Sequence, residues 1–124
     1  MLPKISDAEW RVMKLLWEKS PRTANEIVHT LESAVPWNAQ TIRTLINRLV
    51  RKGAIKFTKD GRTYLYYADV REDDVQRAET KSFISRVFNG AMQPMFAAFL
   101  EETDLSDADI DELERLLKNK KSKK

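Results

Sequence analysis

Apolar positions recur at three- and four-residue steps along most of the chain, and one short stretch alternates instead. The first helical run follows Ser6-Asp7-Ala8-Glu9. That spacing is a capping box, in which the Ser and Glu side chains each satisfy a backbone N–H left free at a helix start. Trp10, Val12, Met13, Leu15, Leu16 and Trp17 then form a stripe ending before Ser20-Pro21. A second box, Thr23-Ala24-Asn25-Glu26, opens a short helix with Ile27, Val28 and Leu31 inward, stopped at Val35-Pro36. Asn38 fits the N-cap of a third helix in which Ile42, Leu45, Ile46, Leu49 and Val50 recur at three- and four-residue steps. Arg51-Lys52 and then Gly53 supply its cationic last turn and left-handed cap.

The period then changes. Residues 54–58 and 63–67 are rich in β-branched and aromatic side chains and flank the turn Lys59-Asp60-Gly61-Arg62, which reads as a hairpin. From Arg71 onward the helical period returns. Val75, Ala78, Phe83, Ile84, Val87, Phe88, Ala91 and Met92 make one long stripe, interrupted near Gly90 and Pro94. Met95, Phe96, Phe99 and Leu100 continue it in a shorter helix. Ser106-Asp107-Ala108-Asp109 caps a last helix with Ile110, Leu113, Leu116 and Leu117, after which a basic tail is expected to fray. The fold class is therefore mainly α with a small β-hairpin. Residues 1–70 form a winged helix-turn-helix, and residues 71–124 a C-terminal helical dimerisation region.

Charge separates these two parts more sharply than the net +3 suggests. Residues 1–68 carry 12 Lys and Arg against 6 Asp and Glu, whereas residues 69–114 carry 4 against 13. The last ten residues are basic again. A basic front and an acidic middle suggest one surface for a polyanion and another for protein. With no apolar run near the ~18 residues of a membrane span and no signal-peptide pattern at the start, a cytoplasmic protein without a membrane partner is expected. The absence of cysteine excludes disulfides and thiolate metal sites.

The third helix carries the candidate chemistry. With its apolar residues inward, Gln40, Arg43, Thr44, Asn47 and Arg51 turn outward, flanked by Asn38, Thr41 and Arg48. Gln and Asn pair bidentately with adenine, Arg with guanine, and Thr touches a thymine methyl or a phosphate. Lys59 and Arg62 sit at the expected hairpin tip, and Asp60 is the one acid between Trp37 and Arg62. A solvated basic helix face is the plainer alternative. Its place between a short helix and a basic hairpin favours double-stranded DNA as the ligand, bound through phosphates and read through base edges.

Other constellations carry less. His29 is a lone histidine on a short helix, and the acids between Glu101 and Glu114 lack the glycine-turned calcium loop. Three scattered glycines build no phosphate-cradling loop, and no nucleophile–base set is present, so neither an enzyme nor a bound metal or cofactor is expected. A winged-helix adaptor that binds protein rather than DNA is the remaining alternative; it predicts salt-insensitive binding and no gel shift.

The second half holds too many large apolar residues for a tail. Phe83, Ile84, Val87, Phe88, Met92, Met95, Phe96, Phe99, Leu100, Leu113 and Leu116 need cover, and a two-fold interface between copies would supply it. Such a homodimer would also set two recognition helices at the spacing of operator half-sites.

The runs from Ile5 to Met13 and from Thr41 to Leu49 into Lys52-Gly53, with Gly61-Arg62, Tyr66 and Phe88-Asn89-Gly90, resemble the BlaI/MecI penicillinase-repressor family over about residues 4–117. The resemblance implies a winged-helix homodimer repressing its target, in antibiotic resistance, from a dyad operator with TACA/TGTA-like cores. It places Gln40, Thr41, Thr44 and Arg48 on the DNA. It also implies release by a protease linked to a β-lactam sensor, cutting before the last helix, commonly between Asn and Phe. The corresponding pair here is Ala98-Phe99, which keeps the Phe and replaces the Asn. The copper-responsive branch of the family needs a cysteine-rich site that this chain lacks.

Overall fold

The computed structural model describes residues 2–122. Its elements run α1 (Asp7–Glu18), α2 (Ala24–Ala34), α3 (Ala39–Lys52), β1 (Ile55–Asp60), β2 (Thr63–Ala68), α4 (Glu72–Phe88), α5 (Met92–Glu102) and α6 (Asp107–Ser122). Two compact units divide within α4, Met1–Glu79 and Thr80–Lys124.

The first unit is a winged helix. Both capping boxes form. Ser6 Oγ accepts from Glu9 N–H at 3.2 Å while Glu9 accepts from Ser6 N–H at 2.8 Å, and Thr23 and Glu26 repeat the exchange at 3.1 and 2.9 Å. Asn38 caps α3 by accepting from Thr41 N–H at 2.8 Å. Gly53, at φ 84°, ends it. Its N–H reaches the Val50 carbonyl at 3.1 Å, and Ala54 N–H reaches that of Leu49 at 3.0 Å. These two bonds make a Schellman motif, and the buried Ala54 carries the chain straight into β1.

The core lies where the inner faces of α1, α2 and α3 meet: Val12, Met13 and Leu16, Ile27 and Leu31, Ile42, Ile46 and Leu49. Ile55 and Tyr66 close it from the hairpin, and Val75 from α4. Val50 is half-buried, at the edge of the stripe. Trp17 Nε1 donates to the Val70 carbonyl at 2.9 Å and Lys14 pairs with Glu72 at 2.6 Å, fixing the exit from the hairpin onto α1.

The hairpin is antiparallel, in register from Ile55↔Ala68 to Asp60↔Thr63. Its turn is two residues, Gly61-Arg62, instead of the four expected, because Lys59 and Asp60 continue the ladder opposite Tyr64 and Thr63. Two-residue turns match the twist of paired strands, so the ladder runs to the tip. Arg22 and Tyr66 also exchange backbone bonds at 3.1 and 2.9 Å, seating the segment before α2 against β2 as a one-residue strand.

The second unit holds the end of α4, then α5 and α6. Asn89 and Gly90, at φ 52° and 82°, end α4. Pro94 falls in the first turn of α5, where its missing N–H has no helical partner to lose. Ser106 caps α6 by accepting from Asp109 N–H at 3.0 Å. The basic segment expected to fray is helical as far as Ser122; its last two residues, Lys123 and Lys124, lie outside the described residues. The long stripe expected through α4 does not keep to one covered face: Val75 and Ile84 are buried, Ala78, Phe83 and Val87 exposed.

Candidate nucleic-acid interface

Helix α3 is two-faced. Ile42, Leu45, Ile46 and Leu49 are at most 5% exposed, while Gln40, Thr41, Arg43, Thr44, Asn47, Arg48 and Arg51 all face solvent. Gln40, Thr44, Asn47 and Arg51 follow one another at four- and three-residue steps, so they share one ridge. Their freedom differs. Asn38 spends its side-chain oxygen on the N-cap, and Thr44 Oγ1 donates back to the Gln40 carbonyl at 2.9 Å. Arg43 donates through Nη2 to Asn25 Oδ1 on α2 at 2.6 Å. Sequence patterning drew Arg43 outward from its own helix and had no means of seeing a partner eighteen residues away.

The wing stands beside this face. Arg62 lies in its turn and Lys59 two pairs below, in β1, with its ammonium 6.0 Å from the Tyr64 ring centroid. Tyr64 stacks on Phe57 at 4.9 Å, and Tyr66 meets both rings edge-on or tilted. Burial pushes the Tyr66 phenol above its ordinary pKa, as would a charge on Tyr64, while Arg43 opposes the rise. The inner face of the wing, the start of α2 and Arg43 enclose an open cleft of about 270 Å³.

A partly buried ion pair sets the far end of α3. Lys52 Nζ donates to Glu9 Oε1 at 2.5 Å and to the Lys4 carbonyl at 2.8 Å. Glu9 has no solvent exposure and its Oε2 accepts no hydrogen bond. Burial alone would raise the Glu9 pKa; the hydrogen bonds from Lys52 and Ser6 outweigh it and leave it below the ordinary glutamate value. Lys52 reads in the sequence as a cationic helix end, and Glu9 as half of a capping box; only the fold joins them.

The geometry is matched by relatives of known role. The family model described as Penicillinase repressor matches residues 5–119. The chain belongs to the penicillinase-repressor family. It is 37% identical to the penicillinase repressor of Bacillus licheniformis over 123 residues, 99% of this chain and 96% of that protein. It is 39% identical over 117 residues to the methicillin resistance regulatory protein MecI of Staphylococcus aureus strain N315, covering 94% of this chain and 95% of that protein. The solution structure of the monomeric form of B. licheniformis BlaI in complex with the blaP half-operator superposes with a TM-score of 0.54. It is 39% identical and covers 60% of this chain and 90% of that one.

The second unit of this family member presents most of its large apolar residues to solvent. Phe83, Val87, Met92, Phe96, Phe99, Leu100 and Leu116 are 42–53% exposed, and Phe88, Met95 and Leu113 are half-buried. Ile84 departs from its expected place between protomers: it is covered within its own chain at 9% exposure. Inward residues at that turn of α4 alternate too closely with outward ones for periodicity to tell them apart. Ala98 and Phe99 lie exposed within α5. No helix among the described residues is long and apolar enough to cross a membrane.

Proposed function

We propose that this DNA-binding repressor acts as a homodimer, each protomer placing α3 in the major groove of one half of a two-fold operator. The observation that carries the reading is the contrast across α3, apolar and buried on one side, polar and cationic on the other. Gln40, Thr44, Asn47 and Arg48 are the proposed base readers, and Arg51, Lys59 and Arg62 the phosphate contacts. The relative held as a monomer on a half-operator supports one protomer per half-site. The exposed apolar residues of α4, α5 and α6 are the proposed dimer surface. The proposed place of action is the cytoplasm.

Release follows from the same surface. Cleavage at Ala98-Phe99 would strip Phe99, Leu100 and α6 from it. A protease needs that bond extended, and within a single protomer α5 has no buried residue to hold it closed, so local opening costs little while protomers are apart. A sensor-linked protease is the proposed partner.

Titrating the full chain against duplexes selected from a random pool tests the DNA reading. Binding should weaken steeply with salt and fall on Arg48→Ala or Arg51→Ala. Selection of no duplex, with salt-insensitive protein binding instead, would favour an adaptor. Mass spectrometry of the repressor from induced cells tests the release mechanism: an intact chain during derepression rules cleavage out.

A further inference from the structure

Arg43 is held differently from its neighbours on α3, and the role inferred for it rests on the DNA-binding reading. Its guanidinium is drawn sideways to Asn25, on the second helical residue of α2. It also lines the cleft beneath the wing, with Arg62, Thr63 and Tyr64 on another wall and Thr23 at the α2 N-cap on a third. A smaller hollow of about 100 Å³ is also lined by Arg43, with Asn47 and Tyr66.

None of the residues lining the cleft is acidic. The nearest acid in sequence, Glu26, has its carboxylate turned back onto Thr23 N–H at 2.9 Å. Two arginines from separate elements thus line a concave, polar space that has no acid among its lining residues. The Asn25 bond occupies one N–H of a fork that has five, leaving others to serve a second acceptor. In helix-turn-helix docking, the helix before the recognition helix crosses the DNA backbone, while bases lie beneath the recognition helix itself. An arginine tied toward that first helix is aimed at the backbone.

We propose that this cleft takes one backbone phosphate, that Arg43 is its donor and not a base reader, and that Asn25 is the positioning residue holding Arg43 there. Phosphate contacts fix register and carry no sequence information, so Arg43 adds affinity without specificity.

The test uses the full chain, a duplex it selects from a random pool, and single-base variants of that duplex. Arg43→Ala should lower the log–log salt slope by about 0.9 and cut affinity about tenfold for every variant alike. Asn25→Ala should give the same pattern at about threefold. Asn25→Asp separates positioning from structure. The carboxylate still accepts from Arg43 and suits the first turn of a helix, so the melting temperature holds or rises. It repels the phosphate, so binding falls below that of Asn25→Ala. A merely structural Asn25 would give the reverse order. A neutral methylphosphonate at one backbone position per half-site should weaken the native protein and leave Arg43→Ala unaffected. Loss of preference at one base position, with the salt slope unchanged, makes Arg43 a base reader and overturns the proposal. If no duplex is selected at all, the DNA-binding reading falls, and this falls with it.

Discussion

Helices α3 and α5 carry nearly the same apolar spacing and meet opposite fates. Ile42, Leu45, Ile46 and Leu49 of α3 are at most 5% exposed; Met92, Phe96, Phe99 and Leu100 of α5 remain 43–53% exposed. The stripe names which residues need cover, and the neighbours decide whether they get it. α3 is enclosed by α1, α2 and the hairpin, whereas no residue of α5 is buried. Single exposed apolar residues are ordinary, but half-exposed Phe, Met, Val and Leu on three successive helices exceed that background. The first unit spends its apolar surface on its own fold, and the second leaves much of its own exposed, the surface proposed above for association.

The largest expected effect tests the enclosed side. Leu49→Ala opens space under α3 and should cost about 2–5 kcal/mol of unfolding free energy. The loss should be the same at any protein concentration, read by urea denaturation. A midpoint that climbs with concentration would mean the first unit also depends on a partner.

Next comes the ion pair behind α3. Lys52→Met leaves the Glu9 carboxylate buried without its cation. Breaking a fully buried pair costs about 3–5 kcal/mol, and Lys52 is about a third exposed, so about 2–3 kcal/mol is expected. The sign with pH follows from the lowered Glu9 pKa. Its contribution is present above the ordinary value of 4.5 and is lost as the pH falls through the lowered one. Melting temperature should therefore fall on acidification below about pH 4.5, and Glu9→Gln should flatten that decline. An unchanged acid limb in Glu9→Gln would assign the decline to other carboxylates.

These contrasts also show what sequence could reveal. Helix starts were legible because a capping box is local: Ser6 with Glu9 and Thr23 with Glu26 lie three residues apart. The inner face of α3 was legible because a helix has a fixed period. Contacts between elements were not. Lys52 with Glu9 spans 43 residues and Arg43 with Asn25 spans 18, and nothing in composition joins such pairs. Arg22 against Tyr66 was invisible for another reason, since one bridged residue has no alternation to detect. In the second unit, the pattern located the apolar residues but not which of them the chain itself would cover, and Ile84 fell on the covered side.

The open side is tested by Phe96→Ala. Phe96 is 43% exposed, so about half of the roughly 1.5–3 kcal/mol that burying a Phe contributes is still to be gained. That is about 1 kcal/mol per protomer and about 2 per two-fold dimer, some thirtyfold in Kd. Sedimentation equilibrium should show the weakening, with urea unfolding of the first unit unmoved. A native chain that stays monomeric at micromolar concentration, with DNA present, would remove the dimer from the reading altogether.

The smallest effect gives the finest version of the comparison. Each unit ends a helix on a left-handed glycine: Gly53 at φ 84° after α3 and Gly90 at φ 82° after α4. A Cβ at either position meets nothing within 4 Å, so alanine there costs only backbone strain, about 1 kcal/mol in both. Equal local strain should appear in different observables. Gly53 closes a Schellman motif directly onto the core through Leu49 and Ala54, so Gly53→Ala should lower the melting temperature at every concentration. Gly90 sits beside Asn89, itself at φ 52°, in the unit whose large apolar residues stay exposed. Gly90→Ala should therefore leave the melting of the first unit unchanged and weaken self-association by up to about fivefold for each protomer that carries it. If both variants shift only the melting temperature, by equal amounts, the second unit is held by its own chain, and the division between enclosed and open halves is lost.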